Sequence, residues 1–155
     1  MPRDLISIDK MKYKNDNLAF SLTILGLLAN VFYFFTLYRN NNNFYYSYLM
    51  GISVLYNLIF MLTVFLTAEE VKTYHRKYSI VLFIAGIIQI LRIFYYPKKA
   101  FAAEVLTADT YRTIKIYLII SSIMLILASI RSFWNSTILK LYIKGKLKIP
   151  PTNEV

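Results

Sequence analysis

Arg92, within IIQILRIFYYPKK (87–99), and Arg131, within ILASIRSFW (126–134), each stand inside an otherwise apolar run. A guanidinium in hydrocarbon has to reach water, lipid phosphate, a polar cavity or a charged partner. Tyr95 and Tyr96 follow the first arginine and Trp134 follows the second, residue types that sit at membrane–water interfaces. One reading is that each arginine snorkels to its own headgroup layer beside these anchors. The other starts from the missing counter-charge. The apolar runs hold no Asp or Glu, so an inward-facing arginine would take its acid from another subunit or from anionic lipid. On that reading Arg92 and Arg131, with Gln89 beside the first, form a partner- or lipid-docking surface.

The remaining polar residues in the runs are Asn30, Asn57, Ser121, Ser122 and Ser129. Amide and hydroxyl groups bond across helices in lipid, so Asn30, Asn57, Ser121 and Ser122 are expected either to pack helices together or to line a polar path. Gly26, Gly51 and Gly86 permit close approach, but no Gly-x-x-x-Gly occurs and the packing signal is weak.

Catalytic ingredients are scarce. His75 is the single histidine and lies beside Arg76 and Lys77, where a solvated ring is the plain expectation. One histidine and no cysteine make no metal set and no thiolate chemistry, and no phosphate-binding glycine loop or nucleophile elbow is present. A proton-coupled exporter would require a carboxylate at mid-membrane, and none is expected there. No enzyme activity, cofactor or metal is therefore predicted.

The elements that position these residues follow from composition. Of 155 residues 57% are apolar and 17% aromatic, too many for an ordinary soluble domain. A net charge of +10 in such a chain reads as membrane topology and contact with anionic lipid, and nucleic acid is not an expected partner. A bilayer core of about 30 Å needs roughly 20 helical residues. That ruler finds four spans at 18–38, 44–68, 78–96 and 116–139, giving an all-α integral membrane protein of four antiparallel transmembrane helices. The first apolar run is too long for a signal peptide and reads as a retained helix. Short links at 39–43 and 69–77 join the first three spans. The longer link at 97–115 has room for a two-turn helix, with Thr107 or Asp109 as N-cap of the last span. Residues 1–17 read as an amphipathic segment and 140–155 as a basic tail, where Lys140, Lys144 and Lys148 join Tyr95, Tyr96 and Trp134 as interface anchors. The tyrosines and phenylalanines beside the 39–43 link read as an aromatic girdle.

Basic residues are concentrated at 1–17, 69–77 and 140–155, which places both termini in the cytoplasm. No extramembrane domain is large enough to act. The leading expectation is a non-catalytic accessory or structural subunit of a larger integral-membrane complex, docked through its helices and bound to membrane lipid. A small homo-oligomeric transporter or lipid-handling protein is the alternative, and an immunity-type membrane protein a further one. The default location is a bacterial plasma membrane, with an organelle membrane as the other option.

Overall fold

A computed structural model describes Ile8, Met11, 14–39, 47–102, Glu104 and 106–144. The described residues are helical, with no strand among them: α1 (Asn17–Arg39), α2 (Ser47–Lys72), α3 (Arg76–Phe94), the short α4 (Tyr96–Ala102) and α5 (Ala108–Ile143). Four stretches are long and apolar enough to cross a membrane, within α1, α2, α3 running on through α4, and α5, which is the pattern of a multi-pass membrane protein. The 39–43 link beyond Arg39, the aromatic cluster at 44–46, most of the 1–13 segment and Lys148 lie outside the described residues, and of Tyr96 only the backbone is described.

The helices begin and end for local reasons. Asp16 caps α1, its Oδ1 accepting the Ala19 backbone N–H at 3.1 Å. The Thr107 side chain accepts from the Thr110 N–H and starts α5, which runs from Ala108 rather than Ile116 and continues to Ile143, absorbing the start of the expected tail. Pro97 does not end the chain's helical course. It sits in the first turn of α4, where its missing N–H costs nothing. α2 likewise continues through Glu69 and Glu70 to Lys72, and the chain then turns through Tyr74 at φ 63.

Each long helix packs against two others. α1 and α3 flank α5 closely, and α2 closes the opposite side by packing on α1 and α3 without a packed face against α5. The bundle is apolar on its outside, and its interior combines two apolar clusters with many buried polar groups. Leu25, Phe35, Leu55, Leu62, Phe83, Leu91, Ile123 and Ile130 are exposed, whereas Thr23, Asn30, Asn57, Ser79, Gln89, Ser121, Ser122, Ser129 and Ser132 are buried. Hydrocarbon supplies no hydrogen bond, so polar groups gain by turning inward and meeting one another.

α5 is the helix that the others approach most closely. Its inner face carries Ser121, Ser122, Leu125, Ala128, Ser129 and Ser132 at three- and four-residue steps. The Ser121 hydroxyl donates to the Gly26 carbonyl at 2.8 Å, that of Ser122 to the Gly86 carbonyl at 2.8 Å and that of Ser129 to the Ser79 carbonyl at 2.7 Å. The Ser79 and Ser132 hydroxyls also pair at 2.7 Å. The close-packing motif is thus a serine stripe meeting a single glycine on each neighbour. A search for paired glycines misses it.

A methyl group at Gly86 would stand 2.6 Å from Ile126 Cγ1 and 3.3 Å from the Ser122 carbonyl oxygen. Neither the β-branched side chain nor the backbone yields easily. Gly86→Ala should therefore lower stability by about 1–3 kcal/mol. Gly51→Ala, with nothing within 4 Å of the new carbon, should leave it unchanged or slightly raised. Thermal unfolding of the two variants in detergent micelles measures the difference.

Candidate functional site: a buried arginine node

Arg92 lies on the last turn of α3 and is partly buried. Its Nη1 donates to Gln89 Oε1 at 2.8 Å and to Asn30 Oδ1 at 3.3 Å, and its Nη2 donates to Asn57 Oδ1 at 2.6 Å. Gln89 Nε2 donates in turn to Asn30 Oδ1 at 2.8 Å and to Ser121 Oγ at 3.3 Å. Asn57 is oriented by its own Nδ2, which donates to the Ser53 carbonyl at 2.8 Å. Asn30, Asn57, Gln89 and Ser121 come from four different helices. Three of them, Asn30, Asn57 and Gln89, are fully buried and present amide oxygens to one guanidinium.

Aromatic faces complete the enclosure. The guanidinium carbon lies 4.8 Å from the ring centres of both Tyr33 and Tyr56 and 5.8 Å from that of Phe60. Such contacts stabilise a cation by about 0.5–2 kcal/mol, more as water is excluded. All these partners are neutral. Among the described residues no carboxylate pairs with Arg92, so the node keeps a net positive charge.

Apolar layers lie on either side. Towards the Tyr33 end stand Tyr33, Leu37, Leu106, Ile114 and Leu118, and towards the other end Phe60, Val64, Leu82, Ala85, Leu125 and Ala128. Polar contacts continue beyond the node on the Tyr33 side, where the Tyr38 hydroxyl donates to Ser53 Oγ at 2.7 Å next to Asn57, and on the other side along the serines of α5.

Arg131 belongs to a second site, and here the expectation of an arginine without an acid in its own chain is corrected. Its Nε donates to Asp16 Oδ1 at 3.2 Å, while Asn135 Nδ2 donates to Asp16 Oδ2 at 2.6 Å. Asp16 is 3% exposed, and its backbone N–H donates to the Lys72 carbonyl at 2.9 Å. One residue thus caps α1, holds the end of α2 and ties both to α5. The negative charge also suits the positive N-terminal end of α1. Periodicity and charge alone assign Asp16 to an amphipathic surface segment. The signal that points elsewhere is an Asp placed immediately before an apolar helix, where N-caps are found.

Of the residues singled out from sequence, Asn30, Asn57, Gln89, Arg92 and Ser121 come together, whereas Ser122 and Ser129 serve helix packing away from the node. Tyr95 and Trp134 are exposed at 66% and 63%, and Lys140 and Lys144 are also exposed. His75 is exposed and its Nδ1 pairs with the Glu70 carboxylate. Among the described residues no three metal-binding side chains gather. Nothing in the sequence marks Tyr33, Tyr56 and Phe60 as node residues. Aromatics are so frequent here, with 14 tyrosines and 11 phenylalanines, that no single one stands out. Comparison with protein-family models, with curated proteins and with solved structures gives no match to this chain.

Removing Asp16 should cost more than removing its arginine. Asp16→Ala loses a helix cap, normally about 1 kcal/mol, and leaves the buried Asn135 donor without that acceptor, about another 1–3 kcal/mol. Arg131→Ala takes the counter-charge from a buried carboxylate but leaves Asp16 its bonds from Ala19 and Asn135, and the arginine side chain is itself 40% exposed, so its cost should stay below that of Asp16→Ala. Unfolding of both variants in mild detergent checks the order.

Proposed function

We propose that this chain is a small non-catalytic membrane protein that binds an anionic ligand at the Arg92 node, acting alone or with copies of itself as a lipid- or solute-handling protein. One observation carries this reading: Asn30, Asn57, Gln89 and Ser121, from four different helices, converge around a guanidinium whose charge nothing in the node neutralises. A charge held by neutral oxygens is retained, whereas a carboxylate would cancel it.

The pairs Gly86–Ser122 and Ser79–Ser132 rise in number along α3 as they fall along α5, which supports an up-and-down order of helices. With both termini assigned to the cytoplasm by the distribution of basic residues, α3 runs outward and the node falls in the outer half of the membrane. The apolar layers on both sides argue against a standing aqueous pore. Access from the side fits better.

The accessory-subunit reading drew on arginines without an acid in their own chain. Arg131 has one in Asp16, whereas Arg92 has none among the described residues, so that reading keeps Arg92 and the exposed apolar rows such as Ile52, Leu55, Ile59, Leu62 and Leu66, which lipid can cover equally well.

Native mass spectrometry of the particle extracted gently from its own membrane decides between the two. The expected species is the chain alone or a homo-oligomer. Unlike subunits at fixed stoichiometry would overturn the proposal in favour of an accessory subunit.

A further inference from the structure

We infer that the Arg92 node is a binding site for a phosphate-type oxyanion, presented by a lipid head group that enters sideways past Tyr56; this rests on the ligand-handling reading above and names its ligand.

The argument begins with a count of donors. A guanidinium carries five N–H groups. Nη1 donates twice and Nη2 once, which leaves the Nε hydrogen and one Nη2 hydrogen without an acceptor among the described residues. Among the described residues Asn30 Nδ2 is a further donor without a partner, on a residue with no exposed surface. Reversing the Asn30 amide does not remove the problem. Its oxygen accepts from both Gln89 and Arg92, and a flip would set an NH2 group against two donors. The node is therefore rich in donors, short of acceptors and positively charged. A water molecule could satisfy one donor, but it would leave the charge in place.

An acceptor-only anion corrects both deficits together. Guanidinium groups bind planar carboxylate and tetrahedral phosphate through paired N–H bonds. The surroundings select the lipid. Above and below, the node meets Tyr33, Leu37 and Leu118 on one side, with the Tyr38–Ser53 hydroxyl pair beside Asn57, and Val64, Leu82 and Leu125 on the other, so a free ion meets mainly apolar walls along the bundle. The partly exposed edge lies at α2, where Tyr56, 38% exposed, covers the guanidinium. Around it Ile52, Leu55 and Ile59 are exposed, an apolar rim suited to acyl chains. α2 is also the helix without a packed face on α5, and therefore the one that can move aside with the least loss of packing.

The test uses the full chain reconstituted in nanodiscs of phosphatidylcholine doped with phosphatidylglycerol, followed by native mass spectrometry of the released protein. Wild type should retain phosphatidylglycerol. Arg92→Gln should reduce retention roughly tenfold, the scale of one lost charge-assisted bond. Arg92→Lys, which keeps the charge and loses the fork, should fall between them, and Lys77→Gln, at an exposed position beside the α2–α3 turn, should match wild type. Monodisperse elution in detergent confirms that each variant is folded. Equal retention by wild type and Arg92→Gln overturns the inference. A second arm titrates inorganic phosphate into delipidated wild type and follows the phosphorus NMR line. Binding of phosphate without lipid retention would overturn the lipid source and make the ligand a soluble oxyanion, and binding of neither would overturn the site itself. These failures differ from failure of the parent reading, which would appear as unlike subunits in the native particle.

Discussion

The Arg92 guanidinium is flanked along the bundle by apolar layers, so its partners have to come from within. That constraint organises the middle of the molecule. Asn30, Asn57 and Gln89 bring amide oxygens from three helices, Ser121 anchors Gln89 from the fourth, and Tyr33 and Tyr56 lay rings against the cation. α2 has no packed face on α5, so its attachment relies on this centre and on its seams with α1 and α3. The arginine is at once the ligand-binding charge in our proposal and a clasp for the least tightly held helix.

The other end of the bundle solves a related problem by different means. Arg131 can reach solvent, and it meets a full carboxylate in Asp16, which is itself held by Ala19 and Asn135. Charge is cancelled there. At Arg92 it is shared among neutral oxygens and kept. Two arginines that look equivalent in sequence therefore differ in chemistry, one completing a structural joint with a carboxylate and the other held by neutral oxygens alone, the basis of the anion site we propose.

Much of the architecture is legible in the order of the residues. Length and hydropathy reveal four spans, and the rarity of charge within them marks Arg92 as costly and consequential. Thr107 is recognisable as a cap from its type and place. Which polar residue meets which is not legible, because that depends on helix rotation, and runs apolar all round carry no stripe to fix it. Asp16 escapes notice because it lies outside every apolar run. The close seams along α5 are hidden because serine supplies both small size and a hydroxyl, while the eye looks for glycine pairs.

α5 has 36 residues, about 54 Å of continuous helix against a hydrocarbon thickness of about 30 Å. No ordinary tilt hides that difference, so a spanning α5 projects well beyond the lipid tails, with Arg112 and Lys115 near one extremity and Lys140 and Lys144 near the other. α1 and α3 are fastened to it by serine–carbonyl bonds. Its Ser121 accepts from Gln89, which in turn accepts from Arg92, so the buried guanidinium is two hydrogen bonds away from the same helix whose ends reach past the lipid tails.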